Sequence, residues 1–125
     1  MLTQRQRTGQ RAEELAAGFL SSQGWEILGR NFRRRLGELD LIAHRDGVLV
    51  IAEVRTRADA RYGSAAASVD RRKQQRIVRA AQQLLQQRRD LAQLPVRFDV
   101  IVVSDLEAAH PGIEWIRHAF EARAQ

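Results

Sequence analysis

Apolar residues recur at helical spacing in two stretches of the chain. Over residues 10–22 they fall on one stripe, which predicts a helix that Gly24 ends. A second helix is predicted over 68–89, with Ser68 as its N-cap and an apolar stripe along one side. Residues 1–8 carry no such stripe, so we expect a disordered N-terminus followed by a single domain over 9–125.

Shorter apolar runs predict strands. They cover residues 25–32, 36–43, 48–54 and 97–104. The segment 113–120 is expected to be either a last strand or a short helix. Asp46-Gly47, between the second and third runs, is typical of a two-residue hairpin turn. This order of elements predicts an α/β fold in which helices flank a mixed central sheet.

The hairpin turn fixes which residues face each other. It places Asp40 directly opposite Glu53 and Glu38 directly opposite Arg55, with all four side chains on one face. Like charges in such a pair repel by about 0.2–1 kcal/mol, and burial adds to the penalty. A divalent cation would remove the repulsion, and oxygen ligands suit Mg²⁺ or Mn²⁺. The alternative is a structural ion pair in which Arg55 neutralises the carboxylates.

The two predicted helices bring further candidates. Lys73, the only lysine of the chain, and Gln74 lie on the apolar side of the second helix. The lysine is expected to contact a phosphate, to pair with a carboxylate, or to extend along the edge of the core. Glu13 flanks the stripe of the first helix, where it either reaches the carboxylates or remains a solvated helix charge.

Charge points to a polyanionic partner. The chain has 125 residues, of which 21 are basic and 15 acidic, and its net charge is +6. This balance indicates nucleic acid as the partner; a basic surface without a partner is the alternative. The absence of cysteine excludes disulfides and thiolate metal sites. No apolar run is long enough to span a bilayer, so we expect a cytoplasmic protein that does not bind membranes.

An ordered set of motifs carries a resemblance over roughly residues 9–104. The motifs are Gly9 with Glu13-Glu14-Leu15-Ala16, Gly24, Arg30-Asn31-Phe32-Arg33, Gly37-Glu38-Leu39-Asp40-Leu41-Ile42-Ala43, Glu53-Val54-Arg55-Thr56-Arg57, Tyr62-Gly63, Ser68-Val69 with Lys73, and Arg97-Phe98-Asp99-Val100. Together they resemble the YraN-like family of small bacterial proteins (uncharacterised protein family UPF0102). The family is similar to Holliday-junction resolvases. The Asp…Glu-x-Arg part also resembles the core of the PD-(D/E)xK nuclease superfamily.

The resemblance implies a restriction-endonuclease-like three-layer fold and a Mg²⁺-dependent endodeoxyribonuclease. Its substrate would be the phosphodiester bonds of branched or structured DNA. Asp40 and Glu53 match the ligands of Mg²⁺ or Mn²⁺, and Arg55 matches the superfamily lysine. Glu13 matches the helix glutamate of the resolvases, and Gln74 a helix glutamine of related nucleases.

DNA would lie along a basic surface. Its candidate residues are Arg30, Arg33, Arg34, Arg35 and Lys73. Because resolvases act as dimers, the resemblance also implies a homodimer. Arg55 departs from the superfamily pattern, since arginine cannot give up its proton as a buried lysine can. A non-catalytic nucleic-acid-binding module therefore stays open, as does a protein-interaction domain whose charge is incidental.

Overall fold

A five-stranded mixed sheet lies at the centre of the computed structural model, which describes residues 1–58 and 69–122. The strands are β1 (Glu26–Arg34), β2 (Gly37–Arg45), β3 (Val48–Thr56), β4 (Val96–Ser104) and β5 (Gly112–Phe120). The helices are α1 (Gln4–Ser22) and α2 (Arg71–Gln87), and a short 3-10 turn (Arg89–Leu91) follows α2. The strands lie side by side in chain order, and all neighbours are antiparallel except β3 and β4.

Each face of the sheet packs against one helix. On one face the buried side of α2, centred on Ile77 and Leu84, packs against β-strand residues such as Ile51 and Val100. On the other face the small and apolar side chains of α1 pack in a second core. A parallel β3–β4 pair needs a crossover connection, and α2 lies in that connection. The predicted α/β fold of three layers around a mixed sheet is therefore confirmed.

The first helix begins earlier than the apolar pattern predicts. Thr3 and Gln6 form a capping box, in which the Gln6 backbone N–H donates to Thr3 Oγ1 at 3.1 Å and the Thr3 N–H donates to Gln6 Oε1 at 2.8 Å. The expectation of disorder over residues 1–8 is thus wrong for residues 4–8, which are helical. The cap satisfies backbone groups without apolar contacts, so hydrophobic periodicity could not reveal it.

The second helix begins at Arg71, with Asp70 as its N-cap. The Asp70 carboxylate accepts a hydrogen bond of 2.9 Å from the Lys73 backbone N–H. Ser68, the predicted cap, lies outside the described residues, as does Tyr62-Gly63. No helix in the described part of the chain is long and apolar enough to cross a membrane.

The last segment is a strand, which decides between the two alternatives for residues 113–120. Asp99 of β4 is fully buried and holds β5 in place. Its carboxylate accepts hydrogen bonds from the Arg97 guanidinium at 2.9 Å, from Trp115 Nε1 at 2.7 Å and from the His118 backbone N–H at 3.0 Å. A buried carboxylate with this many donors is a structural residue of the core.

Gly37 lets α2 approach the start of β2. A Cβ at this position would overlap the backbone carbonyl oxygen of Arg76. Neither backbone atom can move without shifting its whole element, so only glycine fits. The same contact fixes how far the N-terminal part of α2 lies from the sheet.

We predict that Gly37→Ala lowers the free energy of unfolding by about 1–3 kcal/mol, the usual size of an overpacking penalty. Urea denaturation measures it. Gly18→Ala is the matched control, because no atom lies within 4 Å of the added Cβ. In the helix interior it should leave the protein as stable or up to about 1 kcal/mol more stable. Equal effects of the two substitutions would show that the contact with Arg76 does not restrict α2.

Candidate functional site

The hairpin brings two buried carboxylates together. The β2–β3 pairing runs from Arg45↔Val48 to Leu41↔Ala52, which is the register that the turn predicts. Asp40 and Glu53 occupy the next positions on the two strands. Their side chains are only 9% and 5% exposed, and the two carboxyl groups interact directly.

The two strands separate at Asp40. Both strands extend past this point, yet their pairing stops at Leu41↔Ala52, one position on the turn side of Asp40 and Glu53. The Val54 backbone N–H donates to Asp40 Oδ2 at 2.9 Å, so the aspartate replaces a backbone acceptor of the ladder. Leu39 packs in the core under α2 and Leu41 in the core under α1, although they should share a face in a regular strand. The strand therefore changes face at the carboxylate.

Lys73 supplies the positive charge of the site. Its Nζ lies 2.7 Å from Glu53 Oε1, and its side chain is 39% exposed whereas that of Glu53 is 5% exposed. This contact decides among the alternatives for the lysine, which pairs with a carboxylate. Asp40 takes part in no ion pair among the described residues. The two carboxylates are therefore unequal, since only Glu53 has a counter-ion in contact.

Burial and charge both disfavour ionisation of Asp40. Burial raises its pKa well above the ordinary value, the negative charge of Glu53 raises it further, and the hydrogen bond from Val54 lowers it only in part. The more distant Glu13 adds a smaller upward shift. The arrangement therefore favours the protonated form of Asp40, while Glu53 is paired with Lys73.

Glu13 of α1 lies at the border of the site. Burial raises its pKa, and a hydrogen bond from the Asn31 side chain opposes that shift. Asn31 lies on β1, between the pairs Arg30↔Leu41 and Phe32↔Leu39, and so across from Asp40. Its backbone φ of 53° suits asparagine better than most residues. We did not predict Asn31; an asparagine within a run of strand residues was the available signal.

The predicted pairing of Glu38 with Arg55 is wrong. Glu38 Oε2 lies 3.3 Å from Nε of Arg33 on the neighbouring strand. The β2–β3 pairing has ended before this position, so the predicted register no longer applies there. Arg55 lies on the same face of β3 as Glu53, because residues two apart share a face. Its Nε is buried and has no hydrogen-bond partner in the described part of the chain.

Gln74 anchors the beginning of α2. Its side-chain Nε2 donates to the Val69 carbonyl at 2.9 Å. Lys73 and Gln74 are half-buried, as the helical pattern predicts. The amide therefore supports the segment that positions Lys73 against Glu53.

The donor set fits a hard divalent cation as a pair of ligands. Mg²⁺ is usually held by one or two carboxylates together with waters and substrate phosphates. Asp40 and Glu53 can supply the two carboxylates, and Asp40 has no counter-ion within residues 1–58 and 69–122. Within residues 1–58 and 69–122, no group of three or more His, Asp or Glu side chains is placed to hold a metal. The chain alone would thus leave most positions around a Mg²⁺ ion to other ligands.

Most of the candidate basic residues lie on and just after β1, the edge strand next to β2. They are Arg30, Arg33, Arg34 and Arg35, and all are exposed. The Arg34 guanidinium stacks 3.8 Å from the centre of the Phe32 ring and donates to Gln87 Oε1 at 2.8 Å. Arg33 pairs with Glu38, as described above. The positive surface therefore begins one strand away from the carboxylates.

Comparison with known proteins identifies the family of the chain. The model of the uncharacterised protein family UPF0102 matches residues 12–103. The chain belongs to this family. A UPF0102 protein of Saccharophagus degradans is 50% identical over 113 residues, which are 90% of this chain and 92% of the relative. Relatives from Methylococcus capsulatus and Halorhodospira halophila are 45% and 48% identical over 116 residues, which are 93% of this chain and 92% and 88% of theirs.

The raised pKa of Asp40 predicts how stability depends on pH. Well below the ordinary aspartate pKa of 3.8, Asp40 is protonated in both the folded and the unfolded protein. As the pH rises, the unfolded chain loses the proton first, so the free energy of unfolding falls until the folded pKa is passed. Asp40→Asn should remove this fall. The variant should be more stable than the parent near neutral pH by about 1 kcal/mol, the upper end for opposed like charges.

Urea denaturation across acidic to neutral pH, without divalent ions, measures this difference. Asp46→Asn is the matched control, because Asp46 lies in the turn of the same hairpin with a side chain that is 87% exposed. Its stability should follow the parent at every pH. An Asp40→Asn variant that does so as well would contradict the electrostatic description of the site.

Proposed function

We propose that this protein is a metal-dependent nuclease that hydrolyses phosphodiester bonds in branched or structured DNA. The observation that carries the proposal is the buried Asp40–Glu53 pair at the separation of β2 and β3, with Lys73 as the counter-ion of only one carboxylate. The similarity of Asp40 and Glu53-Val54-Arg55 to the PD-(D/E)xK nuclease core also supports it, and the three-layer α/β fold is compatible with it.

Each residue of the site would have a different role in the reaction. Asp40 and Glu53 would hold Mg²⁺ or Mn²⁺. The bound ion would supply positive charge for the scissile phosphate and activate water for attack. Lys73, whose Nζ lies 2.7 Å from Glu53 Oε1, would stabilise negative charge at the phosphate as that charge develops. Arg55 offers a permanent charge on the same face and cannot take part in proton transfer.

The arginines of β1 would hold the DNA backbone. Phosphate contacts fix the position of a duplex without reading its sequence, and arginine forms them with two parallel hydrogen bonds. Arg30 and Arg35 form no ion pair among the described residues and are free for such contacts. The net charge of +6 would draw DNA to the protein, and the affinity should fall steeply with salt.

The ion pair of Lys73 with Glu53 supports a second candidate function, a nucleic-acid-binding module without catalysis. Lys73 already neutralises one of the two charges that a cation would neutralise. If the protein has this second function, Asp40 stays protonated, and the Asp40–Glu53 pair has only a structural role next to a positively charged surface.

A cleavage assay separates the two functions. We expect the parent to cut four-way junctions or flaps in Mg²⁺ or Mn²⁺ and not in a chelator. Asp40→Asn should lower the cleavage rate at least about a hundredfold. Substitution of a residue that only hydrogen-bonds to a metal ligand usually costs less than this, and Asp40 is proposed to be a ligand itself. It should keep its DNA affinity in chelator, because an acidic group is removed. Asp46→Asn is the control and should cut like the parent.

Melting curves with added Mg²⁺ test the ligands without relying on activity. Binding to the folded state alone raises the melting temperature, and Asp40→Asn should abolish that rise. Salt-dependent DNA binding, with no cleavage by any divalent ion and no shift in melting, would leave the second candidate. Without any DNA binding, both candidates would be wrong.

A further inference from the structure

A groove lies between β1 and the C-terminal half of α2, and its apolar floor has no role in the function proposed above. Its volume is about 630 Å³. The floor is apolar and includes Leu28, Ile42, Leu84 and Leu91, all of which belong to or pack against the core under α2. The groove is therefore an open end of that core rather than a polar surface cleft.

The rim of the groove is positively charged. Of the described residues that line it, four are arginines and none is acidic; the arginines are Arg30, Arg33, Arg34 and Arg88. Arg33 and Arg88 pair with acidic residues outside the groove. Arg34 pairs with no carboxylate in the described chain and stacks on Phe32, so a planar cation and an aromatic ring form one wall. An apolar floor beside Arg30 and Arg34, which form no ion pair among the described residues, is complementary to an aromatic base with a phosphate attached to its nucleotide.

We propose that this groove binds one unpaired nucleotide of the DNA substrate, with the base on the apolar floor and the flanking phosphates on the rim arginines. The inference rests on the proposed function, because it takes nucleic acid as the partner. Single-stranded DNA is commonly held by a positive groove with an aromatic surface for its bases. A paired base is shielded by its neighbours in the duplex and cannot enter.

The position of the groove connects it to the carboxylates. Asn31 lines the groove, bonds to Glu13 and lies across from Asp40. Because β1 is the strand next to β2, a DNA strand with one phosphate at Asp40 and Glu53 would reach the groove by crossing β1. The groove gives this protein a preference for DNA with an unpaired nucleotide beside the bond to be cut, such as a flap or a junction with an open base pair.

Two substitutions with one matched control test the groove. Arg34→Met removes the stacked cation, and Phe32→Leu removes the ring but keeps an apolar side chain. Arg35→Met is the control, because Arg35 is exposed and next to Arg34 in sequence but does not line the groove. It removes one positive charge, as Arg34→Met does. Urea denaturation should confirm that all three variants are folded.

The probe is an oligothymidylate that carries one 2-aminopurine, titrated in chelator so that no metal contributes. A hairpin duplex of similar length serves as the paired competitor. The emission of 2-aminopurine should change on binding to the parent, as the base leaves water. Arg34→Met and Phe32→Leu should each weaken single-strand binding at least about fivefold, the lower limit for one stacked base. Arg35→Met should weaken single-strand and duplex binding alike and by less.

The groove inference would be wrong if Arg34→Met and Arg35→Met lost equal single-strand affinity and the 2-aminopurine emission did not change when the parent bound the DNA. The proposed nuclease function would not be affected by that result. No binding of either DNA by the parent would overturn both. Catalytic variants do not enter the comparison, so loss of cleavage cannot imitate loss of the groove.

Discussion

The site depends on the repulsion between two carboxylates that the hairpin turn forces together in a buried position. Asp46-Gly47 sets the register, and the register brings Asp40 opposite Glu53. The strands then separate, and the Val54 N–H bonds to the Asp40 carboxylate instead of continuing the ladder. Lys73 neutralises Glu53 from α2 at 2.7 Å, and Gly37 allows the helix to come close. Asp40 is buried and has no counter-ion in the described part of the chain, which destabilises its charged form and makes it a candidate ligand for a cation.

The inequality of the two carboxylates has a chemical consequence. Glu53 forms an ion pair with Lys73, whereas burial and the neighbouring charge of Glu53 favour the protonated form of Asp40. A cation would have to displace that proton, so metal binding and deprotonation of Asp40 are coupled. Arg55 lies on the same face of β3 as Glu53, and an arginine side chain brings positive charge but no proton transfer. The arginines of β1 extend the positive potential outward from this centre.

The sequence predicted the parts of the structure that local chemistry controls. The turn dipeptide and the alternation of apolar residues gave the register, the α/β layers and the contact of Asp40 with Glu53. The Glu38–Arg55 pair failed because it assumed regular pairing beyond Asp40, where the strands diverge. The N-cap at Asp70 and the early start of α1 depend on individual side-chain hydrogen bonds, which hydrophobic patterns do not contain. Asn31 was missed because its role arises only from the packing of α1 against β1.

The most direct test is the titration of the Asp40 carboxyl carbon by NMR, with Asp40→Asn to assign the signal. Without divalent ions, the pKa of Asp40 should lie well above its ordinary value of 3.8. With saturating Mg²⁺ it should fall, because a carboxylate ligand binds the metal in its ionised form. A pKa near 3.8 that Mg²⁺ leaves unchanged would contradict the account, since it would mean that the buried pair neither repels nor holds a cation.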